Sequence, residues 1–122
     1  MKLITMFYIL NSTLLLLHEI ESGYEKEWEI LKLPGKITGF LLLHIPIMLI
    51  MFYGLLEIDK LSTIGLILGM ILGIGGIFPF LVHKVLVKRK EQFNLLISNV
   101  VIYLNAACGA ILVYLLVSKY FA

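Results

Sequence analysis

The stretch LSTIGLILGMILGIGGIFPFLV, residues 61–82, is 22 residues long and has no charged side chain. A spanning helix needs about 20 consecutive apolar residues, so this run alone commits the chain to a membrane. Ile37 to Leu56 on one side and Phe93 to Val117 on the other are of similar length, and Leu3 to Leu17 is shorter. That first run gains length by continuing through His18 into the interface. The polar connections between the runs are short. The strands of a membrane barrel alternate in and out over about 10 residues, so continuous runs exclude a barrel. Helices are then the way to satisfy backbone groups in lipid.

The expected fold is all-α: an integral membrane four-helix bundle in a single domain, with spans at about 3–18, 37–56, 61–83 and 93–118. Composition agrees, with 61% hydrophobic residues, 15% charged residues and a mean hydropathy of +1.02 over 122 residues. Lys2 followed by an apolar stretch imitates a secretory signal. His18, Glu19 and Ile20 then stand where a small-residue cleavage site belongs, so the segment reads as a retained first helix. Cys108 is the only cysteine and lies inside the fourth run, so no disulfide framework is implied.

Orientation follows from the basic residues at the helix ends. Lys26, Lys32, Lys36, Lys84, Lys88, Arg89 and Lys90 lie on one side, with Lys2, Lys60 and Lys119 on the other. The richer side is expected in the cytoplasm and both termini outside, in a cell membrane. The cluster from Lys84 to Lys90 reads as a topology signal touching anionic lipid, and no nucleic-acid partner is expected.

The connection after His18, read as a continuing helix, puts Ile20, Tyr24, Trp28 and Leu31 on one stripe. Glu21, Glu25 and Glu29 fall on another, as suits an amphipathic interfacial segment between helices one and two. Tyr24 and Trp28 are its expected anchors. Pro34-Gly35 turns the chain back, and Ser62 is placed to cap the third helix. Gly65, Gly69 and Gly73 recur every fourth residue, a small-residue stripe that lets a backbone approach closely and that could also join two copies of the chain.

Polar groups in spanning helices are costly and usually turn inward. All three histidines, His18, His44 and His83, fall toward the same leaflet as Glu19 and Glu21 once the runs are threaded up and down. Imidazole with carboxylate is a ligand mixture for zinc, iron or manganese, which makes these five residues candidate metal ligands; a proton site uses the same groups. Asn11, Glu27, Asn94, Ser98 and Asn105 would line a polar interior around them. Haem with two histidine ligands is a lower-ranked cofactor. His44 stands about 10 Å deeper along its helix than the other two at ~1.5 Å per residue, which a tilted helix or a dipping loop would have to offset.

The run LHEIESGYEKEWE at 17–29, followed by LLLHIP at 41–46, resembles a family of small multi-pass membrane proteins of unknown function. Its pattern of His-Glu-x-Asp/Glu, Glu-Trp and His-x-Pro falls on His18, Glu19, Glu21, Glu27, Trp28, His44 and Pro46. The resemblance implies a shared architecture and polar site. It also implies more than one histidine near the end of helix three, where this chain has only His83. Three functions fit: metal-dependent chemistry on a membrane-access substrate, a small dimeric transporter, or a non-catalytic assembly subunit.

Overall fold

The computed structural model describes residues 1–86 and 95–121. It contains α1 (Leu3–Tyr24), α2 (Glu27–Ile30), α3 (Lys36–Asp59), α4 (Thr63–Phe80), a π-helical turn (Leu81–Leu86) that continues α4, and α5 (Leu96–Phe121). Four of these helices, the third counted from Thr63 to Val85, are long and apolar enough to cross a membrane. The fold is a membrane helical bundle. The basic cluster at Lys88, Arg89 and Lys90, the residue Asn94 and the start of the fourth expected span lie outside the described residues.

Burial is inverted relative to a water-soluble domain. Leu42, Leu49, Phe52, Ile71 and Tyr114 face outward, whereas Asn11, Ser22 and Asn105 are wholly buried. Lipid solvates the large apolar side chains, and the interior gathers the polar groups that lipid would penalise. The apolar core of Tyr8, Met51, Ile58, Leu72, Leu112 and Leu116 occupies the half of the bundle toward Asp59. The polar residues His18, Glu27, His83 and Ser98 fill the other end.

The central helix is α4, packed against α1, α3 and α5, while the backbones of α3 and α5 stay apart on either side of it among the described residues. Its glycines explain that position. A Cβ on Gly65 would lie 2.3 Å from the Glu57 carbonyl carbon, one on Gly69 2.5 Å from Ile58 Cδ1, and one on Gly73 2.8 Å from Val113 Cγ2. The stripe thus allows the close approach its spacing suggested, with α3 and α5 packed on it within the chain.

The connection between α3 and α4 is tight. Ser62 caps α4 as its position suggested, with Oγ accepting from the Gly65 amide at 3.0 Å and donating to Glu57 Oε2 at 2.8 Å. Ser62→Ala is expected to lower stability by about 1 kcal/mol, read as an earlier unfolding midpoint in detergent.

The first connection departs from the sequence reading. Instead of one amphipathic helix, α1 stops at Tyr24, Lys26 takes a left-handed conformation (φ 53°), and a separate four-residue α2 follows. The break rotates Glu27 and Trp28 into the protein. Tyr24 remains 83% exposed, but Trp28 is buried and tilts against Phe40 with ring centroids 5.6 Å apart. Only Tyr24 thus occupies the outward position expected of an anchor.

Candidate metal centre

The last turns of α1 present polar groups to three neighbours at once. Residues advance about 100° each around a helix, so His18 and Ser22 share a face while Glu19 and Glu21 diverge to either side of it. Glu19 reaches α3, where its Oε2 lies 2.5 Å from His44 Nε2. Glu21 turns to α5 and accepts a hydrogen bond from Ser98 Oγ. Buried between them, His18 has Ser22 Oγ 3.3 Å from its Nε2, and that hydroxyl also lies 2.9 Å from the His18 carbonyl.

His83 and Glu27 approach His18 from separate elements. Pro79 has no amide hydrogen to continue the α-helical ladder, and the π-helical turn begins two residues later. A π turn adds a residue to the helical cycle and so rotates the side chains beyond it, a distortion often found at functional sites. Here it accompanies a buried His83 whose ring centroid is 5.2 Å from that of His18. From the broken connection, Glu27 places Oε1 2.9 Å from His83 Nε2 and Oε2 3.8 Å from His18 Nε2.

One ligand atom from each of His18, Glu27 and His83 lies within 4.8 Å of the others, and all three residues are buried. Bonds of ~2.0–2.2 Å to zinc put neighbouring ligands roughly 3.3–3.5 Å apart in a tetrahedral shell, so small side-chain adjustments would accommodate such an ion. Burial pushes the Glu27 carboxyl upward. Hydrogen bonds with His18, His83 and Ser22, together with the charge of His18, outweigh that and hold its pKa well below the usual carboxylate range. Glu27 is accordingly an anion at neutral pH, the form a metal requires.

Glu19 and His44 form a second pair instead of joining the three. His44 Nδ1 is 2.7 Å from the Phe40 carbonyl, one turn back on its own helix, which fixes the ring and aims Nε2 at Glu19. His44 also stacks on Phe40 with centroids 4.1 Å apart. The greater depth of His44 is thus met by a different partner. Both groups nevertheless border one cavity of about 170 Å³, whose lining includes His18, Glu19, Glu27 and His44.

Of the five ligands expected from the sequence, the structure brings together His18 and His83 and adds Glu27, which the sequence reading put in the surrounding polar interior. Glu19 and His44 pair nearby, and Glu21 is turned away to Ser98. Ser22, absent from that reading, stands beside His18. Asn11 and Asn105 lie deeper in the bundle, where Asn11 Nδ2 donates to the Leu72 carbonyl at 2.9 Å. The signal for Glu27 was its place beside Trp28. The four-residue spacing of Glu21, Glu25 and Glu29 masked it by suggesting an unbroken helix.

Residues 4–119 match the family of unknown function DUF6713, and the chain belongs to that family. No curated protein and no solved structure matches the chain.

Proposed function

We propose that this family member binds a divalent transition metal through His18, Glu27 and His83 and uses it in chemistry on a substrate reached from the membrane. The observation that carries the reading is the meeting of two imidazoles and one carboxylate from three separate elements within 4.8 Å, all buried. Two histidines and a glutamate are a ligand set of catalytic zinc sites, which keep one position open for water or substrate. Such an ion would supply a polarised carbonyl or an activated water.

The chain's own groups support the rest of the scheme. His18 and Glu27 border the cavity that Glu19 and His44 also line, so an ion held with His83 would sit at its wall. The Glu19–His44 pair, with Nε2 and Oε2 2.5 Å apart, is suited to hold or pass a proton inside that cavity. The abundance of lysine and arginine on this side of the bundle favours a cytoplasmic location for the site.

Elemental analysis of protein purified without chelator tests the proposal. We expect close to one equivalent of zinc, iron or manganese per chain, lost in His18→Ala. Less than about a tenth of an equivalent, unchanged by His18→Ala, overturns the metal reading. The close contact of Glu27 with both imidazoles would then favour a proton-binding site.

A further inference from the structure

Residues 26–36 cross the polar end of the bundle as a unit of their own. The amides of Glu29, Leu31, Lys32 and Leu33 donate to the carbonyls of Lys26, Glu27, Glu29 and Trp28, so backbone bonding closes within 26–33. Lys26 at one end, and Lys32, Gly35 and Lys36 toward the other, have left-handed backbones with φ of 53°, 56°, 94° and 52°. Glycine alone adopts that region without penalty, so three lysines are held in it by the position the segment takes here. The inner face carries Glu27, bonded to His83, and Trp28, tilted on Phe40. These two are consecutive in the four-residue α2 and move together.

Trp28 also forms a wall. A second cavity of about 260 Å³, bordered by Pro34 and Gly39, shares Trp28, Leu33, Phe40 and Leu43 with the polar cavity, so the Trp28–Phe40 pair is common to two adjoining spaces. The indole Nε1 is buried without a hydrogen-bond partner among the described residues. A buried indole N–H usually finds one, and interfacial water would supply it if the ring swung outward.

Resting on the metal reading, we infer that residues 26–36 are a lid over the metal centre, hinged at Lys26 and at Lys32 to Lys36, whose opening lifts Glu27 from His83 and Trp28 from Phe40 together and admits the ion. Such a lid sets the rate of metal exchange, because the carboxylate that would offset the ion's charge rides on the moving part.

Trp28 is the chain's only tryptophan, so its emission follows the lid. Protein stripped of metal with a chelator, in phosphatidylcholine nanodiscs, is mixed with zinc in stopped flow. An indicator dye reports free zinc while Trp28 emission is recorded. Uptake limited by opening levels off as zinc is raised, at a rate that the emission change shares. Phe40→Ala, which removes the ring that Trp28 rests on, should raise that limiting rate by about tenfold with one equivalent still bound. Lys26→Gly, which relieves a left-handed lysine of the closed state, should lower it by about fivefold. A rate that climbs in proportion to zinc throughout, or a limiting rate that neither substitution moves as stated, overturns the lid and leaves the metal site standing. Absence of metal from the wild-type protein removes both.

Discussion

Glu27→Gln is expected to abolish the proposed metal binding while leaving the helices assembled. Glu27 lies 2.9 Å from His83 Nε2 and 3.8 Å from His18 Nε2, and of the three groups it is the one that brings negative charge. Glutamine keeps the shape, so no cavity opens in a buried site, but it lacks the anion that would offset an ion in a region of low dielectric. Loss of an outer hydrogen-bond partner already costs ~10–100-fold in metal affinity, so loss of this ligand should cost at least about 100-fold. Removal of the whole carboxylate in Glu27→Ala should in addition lower stability by about 1–3 kcal/mol, because the bond to His83 goes with it. The informative comparison is Glu21→Gln. Glu21 carries the same chemistry six residues earlier, at the end of α1, but it is bonded to Ser98 on α5, and its substitution should leave metal content unchanged. A Glu27→Gln protein with a full equivalent of metal would show that the ion is held elsewhere.

The largest effect on assembly is expected from Gly109→Ala. A Cβ at Gly109 on α5 would stand 2.4 Å from the Gly73 carbonyl oxygen and 3.3 Å from the Ile77 amide nitrogen of α4. Both are backbone atoms of a helix, and neither can rotate away. Relief must come from separation of α4 and α5, the helix pair from which Leu72, Leu112 and Leu116 enter the core. Overpacking typically costs about 1–3 kcal/mol, and a clash against backbone belongs at the upper end. Unfolding in detergent, followed by circular dichroism with added denaturant, should show a clear loss. Gly75→Ala is the matched control on α4: its nearest neighbour is a leucine methyl at 4.0 Å, so the change should stay within about 0.5 kcal/mol. Equal stability of the two variants would contradict the α4–α5 contact.

The spans were legible because hydropathy over about 20 residues is a local property, and four such runs leave the backbone no choice but helix. Ser62 was legible for the same reason, since a cap acts across three residues. The glycine stripe was visible as a surface for close approach, but not its partner: whether Gly65, Gly69 and Gly73 meet another copy or the chain's own α3 and α5 depends on how the spans are arranged around α4.

The composition of the candidate site lay further from reach. Sequence pattern placed His18, His44 and His83 toward one leaflet, but spacing along separate helices does not reveal which of them share a depth and a facing. The left-handed turn at Lys26 brings Glu27 inside, the π-helical turn after Pro79 accompanies a buried His83, and the fan of side chains at the end of α1 sends Glu19 to His44 and Glu21 to Ser98. By itself the sequence determined a membrane bundle with its three histidines toward one end, because transfer of apolar and polar groups between water and lipid is decided residue by residue. Only the tertiary structure decided which imidazole meets which carboxylate, because that choice turns on single-residue rotations at two breaks in the helices, where a shift of about 100° exchanges a buried side chain for an exposed one.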